Sequence, residues 1–187
     1  MAVNTLFTIG HSTHSIEEFI ALLKVHGVEE IVDVRSIPKS RHCPQFHVDV
    51  LGNSLRAAGI GYTAIKALGG RRYSRKDSIN TGWRNTSFRG YADYMMTAGF
   101  AEGLEQLIAI AGQRPTAMMC AEAVPWRCHR SMIADAMVLR GWDVREIISQ
   151  APARAHKLTP FLKMADGVIT YPPHEEPQVP GGLEDKG

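Results

Sequence analysis

The amino-acid sequence predicts an α/β protein whose mostly parallel sheet is flanked by helices. Segments with strand-like and helix-like patterns alternate along most of the chain, as they do in repeated βαβ units. A glycine follows three of the helical patterns, at the point where a chain commonly leaves a helix (Gly27, Gly59 and Gly141). Apolar residues make up 44% of the sequence and charged residues 21%, which is typical of a folded domain. A length of 187 residues fits one such domain, which we place at residues 1–173.

Five strands are predicted in the sheet, each a short run rich in apolar or β-branched residues. They cover residues 6–9, 30–34, 62–65, 117–120 and 144–148. The first strand ends at Gly10, and Ser15 and Glu18 then have the spacing of a capping box that begins a helix. The chain therefore enters the strand–helix alternation within its first residues.

The later helices are separated by a long segment without periodicity. Helical pattern resumes near Tyr91 and continues to residue 112 with a break at Gly99, and a further helix is predicted over residues 126–140. No period is sustained over residues 66–89, so we predict a long basic loop after the third strand. Residues 174–187 are rich in proline, glycine and charge, and we predict a flexible tail there.

Composition excludes several classes of protein. No stretch is as long and apolar as a membrane-spanning helix, and the first residues lack the pattern of a signal peptide, so we expect a cytoplasmic protein that does not enter a membrane. An odd number of cysteines (Cys43, Cys120 and Cys128) argues against a secreted disulfide framework. The net charge is only +2, but residues 66–89 hold seven basic side chains and one acid. The positive charge is therefore concentrated in the predicted loop.

Polar residues follow three of the predicted strands. They are His11 and Ser12 after the first strand, Asp33 and Arg35 at the second, and Glu122, Cys128, His129 and Arg130 after the fourth. The carboxyl ends of parallel strands lie at one edge of a sheet, where ligands of α/β proteins bind. We therefore expect these side chains to line one cleft.

Arginines at this edge predict an anionic substrate. Arg35 lies just beyond an apolar strand and needs an anion, either from the protein or from a ligand. Arg130 and Arg41 add two further guanidinium groups, and Ser40 adds a hydroxyl beside Arg41. Asp33 either accepts backbone N–H groups of the following loop or contacts the ligand. The predicted partner is a phosphate-bearing small molecule or a nucleic acid.

Glu122 is the leading candidate for acid–base chemistry. A carboxylate that leaves a buried strand at the floor of a cleft is partly desolvated, which raises its pKa toward the range useful for proton transfer. His11 or His129 would assist it. The alternative is that Glu122 forms a salt bridge with Arg35 or Arg130.

Cys128 offers a different chemistry. Pro125 suits a helix start, and a nearby helix N-terminus lowers the pKa of a thiol. Cys120 belongs to an apolar strand and is expected to act as a small buried hydrophobe. Cys120, Cys128, His129 and His11 are suitable ligand types for zinc, but their spacings are not those of zinc sites, so no metal and no cofactor is predicted.

The basic loop suits a nucleic-acid partner. Its candidate contacts are Arg71, Arg72, Arg75, Lys76, Arg84 and Arg89. Aromatic residues such as Tyr73 and Trp83 lie among them, and basic side chains interleaved with aromatics fit a phosphate backbone with bases that stack. The alternative is a solvated loop whose aromatic side chains pack onto the core.

Several ordered motifs resemble one protein family. They are Thr8-Ile9-Gly10-His11-Ser12, Asp33-Val34-Arg35 with Pro38 and Ser40-Arg41, Leu68-Gly69-Gly70, Phe88-Arg89-Gly90-Tyr91-Ala92, Cys120-Ala121-Glu122, Cys128-His129-Arg130, and His156-Lys157-Leu158-Thr159-Pro160. Together they resemble the domain-of-unknown-function 488 (DUF488) family of bacterial and archaeal proteins. The resemblance implies an α/β fold and supplies no reaction or cofactor. The motif residues of the family fall here on the strand-end positions discussed above, with Ser40 and Arg41 among them.

Three functional hypotheses follow. The first is an enzyme that cleaves a hydrolysable or glycosidic bond in an anionic, nucleotide-like or nucleic-acid substrate, with Glu122 as the acid–base group. The second is a nucleic-acid or nucleotide-binding module without catalysis. The third is thiol or zinc chemistry at Cys128.

Overall fold

The computed structural model describes residues 4–39 and 42–173, which form an α/β fold around a six-stranded sheet. The strands are β1 (Thr5–Gly10), β2 (Glu30–Asp33), β3 (Gly61–Ala64), β4 (Thr116–Cys120), β5 (Asp143–Ile147) and β6 (Arg154–Ala155). Their order is β3-β2-β4-β1-β5-β6, with the first five parallel and β6 antiparallel to β5. The mostly parallel sheet is confirmed. The predicted number of five strands is wrong, because β6 is a two-residue exposed edge strand without an apolar pattern.

Five α-helices of the described residues surround the sheet. They are α1 (Ile16–Val25), α2 (Val48–Ala57), α3 (Thr86–Met95), α4 (Ala98–Ala111) and α5 (Arg130–Leu139). The predicted capping box begins α1: the Ser15 side chain accepts from the Glu18 N–H at 3.1 Å, and the Glu18 carboxylate accepts from the Ser15 N–H at 2.9 Å.

Two apolar cores lie on opposite faces of the sheet. Alternate residues of one strand serve both, since Ile31 packs with α1 and α2 whereas Val32 packs with α3, α4 and α5. The register of the sheet aligns the carboxyl ends of three strands. Gly10 of β1 pairs with Cys120 of β4, and Asp33 of β2 pairs with Met119. The segments that follow these three strands therefore leave the sheet side by side.

Two predicted helix boundaries are wrong. The break predicted at Gly99 lies at Thr97, whose hydroxyl caps α4 by accepting from the Phe100 N–H. The helix predicted from residue 126 begins only at Arg130, because Pro125 opens a short 3₁₀ turn and Cys128 then adopts an extended conformation. Cys128 is held just before the N-terminus of α5.

The basic loop is anchored to α3 and is shorter than predicted. A 3₁₀ turn forms at Lys66–Leu68, irregular structure follows, and α3 begins at Thr86. The buried Asp93 carboxylate in α3 accepts from the Arg75 N–H at 2.9 Å and from the Asn80 side-chain amide at 2.8 Å. The described residues between this turn and α3 have no regular backbone hydrogen bonds of a helix or a strand, and these bonds to Asp93 hold the loop in place instead.

The chain after β6 returns to the body of the protein. A hairpin of β7 (Lys163–Ala165) and β8 (Val168–Thr170) precedes Tyr171, whose N–H donates to the Asn80 side chain at 2.8 Å. The tail predicted at residues 174–187 lies outside the described residues. No helix among the described residues is long and apolar enough to cross a membrane.

Candidate functional site

A pocket of about 400 Å³ opens at the carboxyl edge of the sheet. Its walls come from five separate parts of the chain, one of which is the first turn of α3. They include His11 after β1, Arg35 after β2, Gly70 and Arg71 of the basic loop, and Cys120, Glu122, Cys128 and His129 around the end of β4. The predicted convergence of the three strand ends is confirmed.

Gly10 allows the end of β1 to approach the segment after β4. A Cβ atom at Gly10 would lie 1.8 Å from the Glu122 carbonyl oxygen. Beyond the strands, the His11 N–H donates to the Cys120 carbonyl at 2.9 Å and the Ser12 N–H donates to the Ala121 carbonyl at 3.0 Å. Ser12 itself has a φ of +47°, which is uncommon for a residue with a side chain. This close pairing fixes the position of the β4–α5 segment.

Arg35 finds its anion within the protein. Its Nε–H and Nη2–H groups donate to the Asp33 carboxylate, with the shortest contact at 2.6 Å, and Nη1 donates to the Phe46 carbonyl at 2.9 Å. The Tyr62 hydroxyl donates to the same Asp33 carboxylate at 2.6 Å. Asp33 also accepts the Arg35 backbone N–H, as expected for a carboxylate at a strand end. Arg35 therefore reaches the pocket as half of an internal ion pair.

His11 is buried and neutral at physiological pH. Burial, together with the charges of Arg35 and Arg130, lowers the pKa of His11 to about 4. Nδ1 lies 2.9 Å from the Ser12 carbonyl and so carries the proton, while Nε2 accepts from Arg35 Nη1 at 3.3 Å. The imidazole also stacks on Phe46, with ring centroids 4.2 Å apart. Both ring nitrogens are engaged within the protein.

Arg130 is a buried cation whose hydrogen-bond partners include no carboxylate of the described residues. It is only 1% exposed. Nη1 donates to the Thr8 hydroxyl at 2.6 Å, Nη2 to the Glu122 carbonyl at 2.8 Å, and Nε to the Cys120 sulfur at 2.9 Å. Because a buried charge is unfavourable unless it is compensated, the sulfur atoms are the candidates for its counter-ion.

The two cysteines at the pocket floor are in direct contact. Cys120 Sγ lies 2.6 Å from Cys128 Sγ, and both thiols are free. Cys120 is buried in the apolar core, as expected, but its sulfur also contacts Cys128 and the Arg130 guanidinium. The hydrogen bond from Cys120 is the largest of the effects that hold the pKa of Cys128 well below its ordinary value, and His129 and Arg130 add to it. Burial raises the pKa of Cys120, so the negative charge of the pair lies on Cys128.

His129 faces the same sulfur. Its Nε2–H donates to the Val34 carbonyl at 2.9 Å, which leaves Nδ1 directed at Cys128 Sγ at 3.5 Å. The ring packs against Tyr91, with centroids 4.9 Å apart. A hydrogen bond that fixes one imidazole nitrogen and aims the other at a thiol is the arrangement of a nucleophile with its proton acceptor.

Glu122 differs from its expected environment. Its side chain is exposed at the pocket mouth, and among the described residues it forms no salt bridge with Arg35 or Arg130. The desolvation predicted for it is wrong, because the chain bends outward after Cys120 and carries the carboxylate into solvent. Its backbone carbonyl, not its carboxylate, contacts Arg130.

The basic residues of the loop divide into two groups. Arg72 and Arg89 donate to backbone carbonyls, and Arg75 pairs with Asp77 at 2.8 Å. The other group is exposed and consists of Arg71, Lys76 and Arg84. Arg71 alone of the six lines the pocket, and Arg127 and Lys39 join it there. Ser40 and Arg41 lie outside the described residues.

Sequence reasoning missed three parts of the site. Cys120 stands in a family motif at the end of β4, but no local signal shows its contact with the Cys128 sulfur. Thr8 also stands in a family motif, which does not indicate its hydrogen bond to Arg130, and Arg127 belongs to none of the motifs above. No group of three or more potential metal ligands is assembled in the part of the chain that the structure describes, so the zinc branch of the third hypothesis has no support there.

The fold and the pocket define a class of protein: a mostly parallel α/β sheet with a cysteine pair and a buried arginine at its carboxyl edge. The chain belongs to the family described as Domain of unknown function DUF488, which matches residues 15–137 and therefore well over half of its length. The matched region includes Arg35, Cys120, Cys128 and Arg130. Neither the curated proteins nor the solved structures contain a match to this chain.

Proposed function

We propose that the protein is an enzyme in which the Cys128 thiolate acts as a nucleophile on a small anionic substrate. The observation that carries the proposal is the buried Arg130 guanidinium, whose Nε–H donates to Cys120 Sγ and whose backbone N–H lies 3.5 Å from Cys128 Sγ. The Cys128 thiolate, in contact with Cys120 Sγ, compensates this charge. The proposal keeps the predicted anionic substrate and moves the reacting group from Glu122 to Cys128.

A guanidinium is always charged, so the negative charge that neutralises Arg130 must be present at physiological pH. The bonds from Thr8 and Glu122 satisfy its N–H groups but bring no net charge. A thiolate is the nucleophilic form of cysteine, and at Cys128 it places a negative charge beside this cation. The negative charge that compensates Arg130 in the folded protein is therefore also the nucleophile of the proposed reaction.

His129 completes the chemistry. With Nε2–H held by the Val34 carbonyl, Nδ1 can take the thiol proton and later return it to a leaving group. Cys128 forms a covalent bond to the electrophilic atom of the substrate, and the leaving group departs with its electron pair and that proton. Water then releases the acyl or related group from the sulfur.

The pocket supports an anionic substrate of limited size. A volume of about 400 Å³ lies in the range of small-molecule sites. Arg71, Arg127 and Lys39 line its walls and outnumber the single acid, Glu122. Since Arg35 is paired with Asp33, these three side chains and not Arg35 supply the positive charge that a ligand meets.

The test is alkylation with iodoacetate and iodoacetamide, followed by mass spectrometry of the modified cysteine. We expect Cys128 to react at about pH 6 nearly as fast as at about pH 8, because its thiolate is already formed. Iodoacetate is an anion and iodoacetamide is neutral. We therefore expect the ratio of the iodoacetate rate to the iodoacetamide rate to be higher at Cys128 than at a free thiol in solution. Arg71→Ala should lower this ratio.

Cys43→Ser is the matched control, because Cys43 is also buried and lies outside the cysteine pair. It should leave the alkylation profile unchanged, whereas Cys128→Ser should abolish the fast reaction. A Cys128 rate that rises about tenfold per pH unit up to about pH 8.5 would describe an ordinary thiol and reject the proposal.

Nucleic-acid binding without catalysis remains a second candidate. One observation favours it: Arg71, Lys76 and Arg84 are exposed on the basic loop, which also carries Tyr73, a residue that is 99% exposed. Exposed cations beside an exposed aromatic ring suit a phosphate backbone with a stacked base.

A further inference from the structure

We propose that Cys120 is the resolving partner of Cys128 and that the pair exchanges with anionic low-molecular-weight disulfides. This inference rests on the proposed Cys128 thiolate and adds the substrate class and a second reacting residue. A nucleophile that only formed an acyl or phosphoryl intermediate would have no use for a second sulfur. Here the second sulfur lies 2.6 Å from the first, on the floor of the same pocket.

The backbone holds the two sulfurs together without rearrangement. Cys120 is the last residue of β4, and Cys128 follows the 3₁₀ turn that brings the chain back. That turn is closed by hydrogen bonds from the Arg127 N–H to the Val124 carbonyl at 3.3 Å and from the Cys128 N–H to the Pro125 carbonyl at 2.9 Å. The resolving step therefore needs no opening of the segment between them.

Arg130 makes the oxidised state the less stable one. In the reduced protein the guanidinium donates to Cys120 Sγ, which is in contact with the Cys128 thiolate. A disulfide is neutral, so oxidation removes this negative charge and leaves Arg130 with the neutral Thr8 hydroxyl and Glu122 carbonyl as its oxygen partners among the described residues. A dithiol whose reduced form is stabilised in this way gives a disulfide that is easily reduced, so a dithiol reductant readily returns the pair to its starting state. The disulfide is then a transient catalytic intermediate and not a structural crosslink.

The exchange balances as two displacements. The Cys128 thiolate attacks one sulfur of the substrate disulfide, the substrate S–S bond breaks, and the first substrate thiolate leaves and takes a proton from solvent. The Cys120 thiol then gives up its proton and attacks the Cys128 sulfur, which releases the second substrate thiol. The substrate gains two electrons, and the Cys120–Cys128 pair loses two. A dithiol reductant returns the protein to its starting state.

The charge of the pocket selects among disulfides. Arg71, Arg127 and Lys39 line the route to the sulfurs, so a disulfide that carries carboxylates is favoured over one that carries ammonium groups. Oxidised glutathione, an anion, and cystamine, a cation, are the matched probes. We expect oxidised glutathione to react about tenfold faster than cystamine at low salt, and the difference to shrink as salt is added.

The test is treatment of the whole protein with each probe, followed by alkylation, digestion and mass spectrometry. Wild type and Cys43→Ser should both yield a peptide linked between Cys120 and Cys128, whereas Cys120→Ser should stop at glutathione attached to Cys128. The oxidised wild-type protein should melt at a lower temperature than the reduced one. A structural disulfide would instead raise the melting temperature.

The outcomes separate this inference from the proposed function. If Cys128 alkylates as a thiolate but wild type accumulates only the glutathione adduct, the nucleophile stands and the resolving role of Cys120 is rejected. A linked peptide whose formation raises the melting temperature also rejects the inference. If Cys128 alkylates as an ordinary thiol, the proposed function is rejected, and the inference that rests on it is rejected as well. The wild-type measurements decide these cases even if a cysteine variant does not fold.

Discussion

Arg130 shows how one side chain sets the chemistry of its neighbours. It is the first residue of α5, is 1% exposed, and directs three different nitrogens at Thr8, Glu122 and Cys120. Arg35, by contrast, has a carboxylate partner in Asp33. Two buried arginines at one sheet edge therefore have different partners: Arg35 pairs with the Asp33 carboxylate, and Arg130 donates to the Cys120 sulfur.

Replacing Arg130 by methionine should raise the pKa of Cys128. Methionine fills much of the same space but removes the charge that favours the thiolate. We expect alkylation of Cys128 at about pH 6 to slow by about tenfold or more, while the rate at about pH 9 stays close to that of wild type. Arg127→Met, at an exposed position of the same pocket, is the control and should leave the pH profile in place. Identical profiles for the two variants would contradict the role of Arg130.

At the scale of elements, the site depends on how closely β1 approaches the segment after β4. The contact is made by backbone: the His11 and Ser12 N–H groups bond to the Cys120 and Ala121 carbonyls, and Gly10 leaves no side chain in the way. The ladder between these strands thus continues past their ends. This continuation places the Glu122 carbonyl where Arg130 can reach it.

Gly10→Ala should destabilise the protein and disturb the cysteine pair. The new Cβ would lie 1.8 Å from the Glu122 carbonyl oxygen, which belongs to backbone and cannot swing aside. We expect a loss of about 2–4 kcal/mol in the free energy of unfolding, measured by denaturant titration.

Gly52→Ala in α2 is the matched control. The nearest atom to its new Cβ is Tyr62 Cδ1, at the ordinary contact distance of 3.8 Å. Because alanine favours a helix interior, this variant should be neutral or more stable by about 0.5–1 kcal/mol. Equal changes in the free energy of unfolding for the two variants would show that the contact with the Glu122 carbonyl is not the cause of the destabilisation at Gly10.

At the scale of the whole molecule, a buried charge cluster fastens the C-terminal segment to the sheet. His156 lies between two carboxylates, with Nε2 2.9 Å from Asp135 of α5 and Nδ1 2.8 Å from Glu146 of β5. Asp135 also accepts from the Thr159 and Tyr171 hydroxyls. The segment that follows β6 is thereby tied to the helix that begins with Arg130.

The His156 cluster predicts a loss of stability at alkaline pH. Burial alone would lower the pKa of His156, but hydrogen bonds to Asp135 and Glu146 outweigh it and raise the pKa to about 9. The contribution is therefore complete below the unfolded-state pKa of about 6.5 and is lost as the pH rises toward 9. Denaturant titrations should show a decline over this window of on the order of 2 kcal/mol that His156→Gln lacks.

His42→Gln, at an exposed histidine, serves as the control and should keep the wild-type pH dependence. A wild-type stability that is flat across the window, or a His156→Gln protein that declines as steeply, would contradict the charged state assigned to His156.

Local sequence determined the elements of this protein, and tertiary structure decided what the site residues do. Strand patterns, the Ser15 capping box and the helix-ending glycines depend on neighbours in the chain, and so the five parallel strands and the convergence of their ends could be predicted. Glu122 and Cys120 could not be assigned correctly, because one bend after β4 turns the carboxylate outward and one contact across the pocket floor pairs the sulfurs. Asp33 lies only two residues from Arg35, but no sequence pattern shows that this carboxylate pairs with Arg35 while Arg130 meets a sulfur and a carbonyl. These contacts depend on distances in space, such as that from Arg130 to Thr8, and only the folded protein fixes them.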